Sequence, residues 1–155
     1  MLLSENIDLS KYNIDGKKLV YIASPYAHDD MLVVNERVKS VTDVTCDIIL
    51  KLSDIVVPFS PIAYTHGLDQ TIKQRNSELG SDKPIEIDWY TFDLVYLLRC
   101  DALLVLELKG WQQSMGVALE IAFAKKHEIP IIYSLQEHVI QQLIGKFYPR
   151  GRKLY

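Results

Sequence analysis

The chain is predicted to adopt a doubly wound α/β fold around a mostly parallel sheet of about five strands, flavodoxin/Rossmann-like. Three observations predict it. Short apolar runs recur at 18–24, 55–59, 102–106 and 129–134, and the third has no charge at all, as suits a strand buried on both faces. Segments with apolar residues at helical spacing separate them. Loops rich in Ser, Pro and Gly follow the runs, where open α/β sheets bind ligands.

Residues 1–16 read as a peripheral arm ending in the turn Asp15-Gly16. Lys18 to Ser24 is strand one, stopped by Pro25, which has no N–H for a ladder and keeps Ser24 extended. Tyr21, Ser24 and Tyr26 then line a pocket mouth, or Tyr21 is core and Tyr26 merely exposed. Asp29 or Asp30 caps a helix to Leu52, with Val34, Val38, Val41, Thr45, Ile48 and Leu52 as its buried stripe and Cys46 beside it. Arg37, near the start of that helix, either pairs with an anion or is a surface charge.

Ile55 to Phe59 is strand two. The loop Ser60 to His66 follows, and His66 is placed to contact a base or phosphate. Residues 68–86 lack a clear period and read as a loop insertion, either a cover over the site or of no consequence. Ile87 to Arg99 is helical, with Trp89, Phe92 and Tyr96 on its packed side and Asp93 either solvated or held at a site. Ala102 to Leu106 is strand three. After Lys109-Gly110-Trp111 a helix begins near Ser114, using Val117, Ile121 and Ala124. Ile129 to Ser134 is strand four, Gln136 to Lys146 the last helix, and 147–155 a basic tail.

The 155 residues suit a single domain. Hydrophobic residues make up 48% and charged residues 24%, an ordinary globular balance. A net charge of −3 argues against a nucleic-acid polymer as partner. Cys46 and Cys100 form no metal-ligand spacing and the histidines do not cluster, so neither metal nor cofactor is expected. No membrane-length apolar run or signal peptide is seen, and a cytoplasmic chain is expected.

The stretch from Cys100 to Ala124 holds the most chemistry. Ser114 is an N-cap candidate, and Gly116 leaves room for a ligand near the N–H groups of a helix start. Glu120 lies among Leu119, Ile121 and Ala122, where a carboxylate beside an apolar wall can act as nucleophile or base. The spacing also fits a solvated glutamate on an amphipathic helix.

Taken together, Tyr21-Ile-Ala-Ser-Pro-Tyr26, Ser60-Pro-Ile-Ala-x-x-His66, Asp88-Trp89 with Asp93, Arg99-Cys-Asp101 and Gly110-Trp-x-x-Ser-x-Gly-Val-x-x-Glu120-Ile resemble an uncharacterised bacterial and phage family within the nucleoside 2-deoxyribosyltransferase-like superfamily. The resemblance spans about residues 18–134. It implies N-glycosidic chemistry, with Glu120 at the position of the catalytic glutamate and Asp93 at that of a second carboxylate. Tyr21 and Ser24 match the strand-one tyrosine and loop residues. Pro25, Tyr26, Arg37, His66, Trp89, Ser114 and Gly116 complete the expected substrate-binding set. Deoxyribosyltransferases acting on free nucleosides tend to carry aspartate where this chain has Ser114, six residues before Glu120. The superfamily's nucleotide N-hydrolases resemble the chain better there. A hydroxyl beside helix N–H groups accepts a phosphate that an aspartate would repel.

The resemblance thus implies an N-glycosidase acting on a (deoxy)nucleoside 5′-monophosphate, with water or a second base as acceptor. It also implies a homodimer or higher homo-oligomer. A nucleotide-binding module without catalysis and a glycohydrolase of a larger nucleotide such as NAD are the competing expectations.

Overall fold

The computed structural model describes residues 7–80, 82–148 and 150. Four strands, β1 (Lys18–Ala23), β2 (Val56–Phe59), β3 (Ala102–Leu106) and β4 (Ile131–Ser134), pair in parallel in the order β2-β1-β3-β4. Between and after them run α1 (Met31–Leu52), α2 (Pro61–Leu79), α3 (Trp89–Leu97), α4 (Met115–Lys126) and α5 (Val139–Phe147). The architecture is the doubly wound α/β class. The sheet has four strands among the described residues rather than about five, because the remaining apolar residues sit at helical spacing and go into helices.

β1 and β3 are the central strands, and Val20 to Ala23 and Ala102 to Leu106 have no exposed surface. Fully burying one such branched side chain contributes roughly 1.5–3 kcal/mol. Alternation along the strands sorts them into two cores. Val20, Ile22, Leu104 and Leu106 pack on one face with Val41 and Ile48 of α1 and Leu143 of α5. Tyr21, Ala23, Leu103 and Val105 pack on the other with Leu97 of α3 and Val117 and Ala124 of α4. The chain leaves β1 toward β2 on one side and returns to β3 on the other. The crevice therefore opens at the carboxyl ends of β1 and β3.

Several expectations are corrected. Ser60 to His66 is the start of a helix and not a loop. The Ser60 hydroxyl accepts from the Ala63 N–H at 3.2 Å and Pro61 takes the first turn, where its missing N–H costs nothing. The expected insertion at 68–86 is helical as far as Leu79, and α2 closes at Gly80, left-handed with φ +56°. α2 buries only Pro61 and Thr65, so no apolar stripe announces it. In α1, Asp30 is the cap and Val44 is buried, while Val38 and Thr45 are half-buried. Cys46, beside the stripe of α1, is exposed. Of the arm, 1–6, and of the tail, 149 and 151–155, lie outside the described residues. Among the described residues no helix is long and apolar enough to cross a membrane.

Candidate active site at the carboxyl ends of β1 and β3

Alternation along β1 turns Tyr21 toward α3 and α4, where it is fully buried and its ring lies 5.7 Å from that of Phe59. Its hydroxyl donates to Oε1 of Glu120 at 2.5 Å. Glu120 occupies the buried stripe of α4 with Val117 and Ala124, a position that periodicity reserves for an apolar side chain. It is 9% exposed, so it is not a solvated glutamate. Burial pushes its carboxyl up to about 8, against the Tyr21 hydrogen bond and reinforced by the charge of Asp93. The same burial and the Glu120 charge hold the Tyr21 hydroxyl far above the ordinary phenol range.

Asp93 comes from α3, one turn after Trp89. Burial raises its carboxyl to about 7, and its Oδ1 is shut from solvent without a hydrogen-bond partner among the described residues. The Oγ of Ser24, beyond the end of β1, is likewise buried and has no partner among the described residues. Unmet polar atoms of this kind cost free energy unless something completes them. Two carboxyl groups and a hydroxyl with unused hydrogen-bonding capacity thus line one cavity of about 560 Å³, a volume suited to a small organic ligand.

That cavity is lined by Ser24, Tyr26, His66, Trp89, Asp93, Ser114, Gly116 and Glu120 among the residues expected from sequence. Ser114 caps α4 by accepting from the Val117 N–H at 3.3 Å, and its own proton stays available to an acceptor in the cavity. A Cβ at Gly116 would come 3.4 Å from the Tyr90 ring, so the space left there serves the packing of α3 as well as any ligand. Tyr26 and His66 pair through the tyrosine hydroxyl and Nδ1 at 2.9 Å.

Three expected residues do not line the cavity. Tyr21 lies beneath it and reaches it through Glu120. Pro25 is buried and is not part of the lining. Arg37 is a brace: its guanidinium donates to the carbonyls of Ala27 at 2.7 Å and Lys109 at 3.2 Å, tying the loop after β1 to the loop after β3. Gly110, with φ +89°, makes room for it, since a Cβ there would stand 2.7 Å from Arg37 Nη2. Conversely, Thr65, Asp69 and Lys73 of α2 line the cavity and were not expected. Together with His66 they fall on one helical face, a signal that appears only once the segment is known to be a helix. Among the described residues no group of three or more His, Cys, Asp or Glu is placed to hold a metal ion.

Residues 18–135 match the family described as Domain of unknown function (DUF1937). The match contains every strand of the sheet and every residue of the cavity. None of the curated proteins matches the chain.

Proposed function

For a chain that belongs to the DUF1937 family, whose domains are of unknown function, we propose N-glycosidase chemistry on a (deoxy)nucleoside 5′-monophosphate with Glu120 as nucleophile. The observation that carries this reading is the buried Tyr21–Glu120 hydrogen bond facing a second carboxyl, Asp93, in one cavity. Retaining cleavage of a glycosidic bond needs such a pair, one carboxylate to attack and one acid to assist departure. The sequence resemblance to the nucleoside 2-deoxyribosyltransferase-like superfamily supports the same assignment.

In the proposed reaction the Glu120 carboxylate attacks C1′. The C1′–N bond breaks with its electron pair going to the base, and Asp93 delivers a proton to that base. A glycosyl ester of Glu120 remains. Water then gives its proton to the Asp93 carboxylate and attacks C1′, the ester bond breaks, and Glu120 is regenerated. A second base in place of water makes the reaction a transfer. Tyr21, by donating to one carboxylate oxygen, stabilises the charged form and leaves the other oxygen for C1′. The Ser114 hydroxyl and the first N–H groups of α4 are the natural seat of the 5′-phosphate. The homo-oligomer implied by the resemblance belongs to the same proposal, and light scattering tests it.

One observation favours a second reading. With Glu120 pushed up to about 8, the carboxyl is mostly protonated at neutral pH. A protonated acid suits a module that binds a nucleotide without cleaving it. Base release separates the two readings. Nucleoside 5′-monophosphates, matching nucleosides and NAD are incubated with wild type and with Glu120→Ala, and free base is resolved by chromatography. The enzyme releases base from monophosphates and the variant does not. A binding module releases none while still giving a calorimetric signal.

A further inference from the structure

One wall of the cavity is made by α2 and the segment leading into α3, and it is held by two side-chain clasps. Asp69 divides its carboxylate. Oδ1 accepts from the indole N–H of Trp89 at 3.0 Å, and Oδ2 holds the ammonium of Lys73 at 2.6 Å. Although partial burial works against its charge, these two donors keep the Asp69 carboxyl below the usual range. Two turns further along α2, Asn76 grips the backbone of Ile85 at both its polar groups, donating to the carbonyl at 2.8 Å and accepting from the N–H at 3.2 Å. Phe92 braces the Trp89 ring edge-on at 5.4 Å.

The indole N–H is the one polar group of a tryptophan side chain, and Asp69 takes it. What Trp89 offers the cavity is therefore aromatic carbon. Such a surface recognises a flat ring by stacking and gives nothing to a phosphate or a sugar hydroxyl. The polar atoms that can serve those groups come from other residues of the lining: Ser24, Ser114 and Glu120, Asp93 one turn further along α3, and Thr65, His66 and Lys73 of α2. We propose that Trp89 is the stacking platform for the base of the ligand and that Asp69 is the positioning residue that fixes it. This assignment rests on the nucleotide reading given above.

The test uses the full chain carrying Glu120→Gln, so that no turnover occurs. It also carries Trp111→Phe, which removes the other tryptophan; Trp111 packs on Tyr133 and does not line the cavity. AMP, UMP and ribose 5-phosphate are titrated while Trp89 emission and calorimetric heat are recorded. Nucleotide binding quenches Trp89. Asp69→Leu, which has no acceptor, weakens nucleotide binding about tenfold or more. It shifts the emission to the red and leaves ribose 5-phosphate affinity within about twofold. Asp69→Asn keeps an acceptor for the indole while losing the ion pair, and it retains nucleotide affinity within about twofold. Equal losses in the Asn and Leu variants, equal losses for ribose 5-phosphate, or nucleotide binding without a Trp89 response would each overturn the assignment alone. Failure of any nucleotide to bind would overturn the nucleotide reading, and this assignment with it.

Discussion

The hydroxyl of Tyr21, from the second core of the sheet, donates to Glu120 Oε1 at 2.5 Å, where Glu120 has 9% of its surface exposed. A buried carboxyl with this one donor is poised between its neutral and charged forms, and its neighbours decide its reactivity. Tyr21→Phe removes the donor without changing the ring that packs against Phe59. A hydrogen bond to a charged group is worth about 1.5–3 kcal/mol, so kcat at neutral pH falls roughly ten- to a hundredfold. The acid limb of the pH–rate profile moves to higher pH. An unmoved limb would show that the bond does not act on the ionisation of Glu120.

The stability of the folded chain carries the same signature. In the folded chain burial pushes the Glu120 carboxyl up to about 8, above the 4.5 of an exposed glutamate. A carboxyl raised in this way favours folding fully below about pH 4.5, and that contribution is lost as pH rises toward 8. Glu120→Gln keeps an acceptor for Tyr21 and does not titrate. Its advantage in unfolding free energy over wild type therefore grows across this range, by up to about 1.4 kcal/mol per pH unit. Denaturant melts at pH 5 and pH 8 measure this, and a gap that stays constant contradicts the burial argument.

Asp93 is assigned the proton delivered to the leaving base. Asp93→Asn should lower the rate on ordinary nucleotides by about 10²–10⁴-fold and abolish the alkaline limb expected of wild type as Asp93 deprotonates above about 7. A base that is already cationic in the nucleotide departs neutral and needs no acid. With 7-methylguanosine 5′-monophosphate the loss should shrink to roughly tenfold or less. An equal loss on both substrates would assign Asp93 to binding.

Ser114 is both the cap of α4 and the expected contact of the 5′-phosphate. Ser114→Asp keeps a good cap and places a negative charge at the cavity. Melting temperature should hold, KM for monophosphates should rise about tenfold or more, and KM for free nucleosides should change little. A parallel rise for both substrate classes would put the phosphate elsewhere.

How much of this was legible in the sequence depends on where burial leaves a mark. β1 and β3 are buried on both faces and read as apolar runs, so the central strands and the crevice between them follow from residues alone. Glu120 stood out for its apolar neighbours and shares the helical face of Val117 and Ala124, yet its charge fits a solvated side chain equally well. Only packing against Tyr21, 99 positions away, shows that it belongs inside. α2 was illegible as a helix because its amino-terminal end alone is buried. Its caps are present in the sequence, but Ser60-Pro61 reads equally as the end of a strand and Gly80 as part of a loop. Arg37 was misplaced for a different reason: its partners are carbonyls of two loops, and backbone acceptors leave no trace in side-chain pattern.

The central claim is that Glu120 forms a bond to C1′. The most direct test is the stereochemistry at that carbon when methanol competes with water during base release, read by proton NMR of the methyl glycoside 5-phosphate. Two displacements at C1′ predict a β-configured product, the configuration of the starting nucleotide. An α-configured product, or base release that persists in Glu120→Gln, would contradict the account.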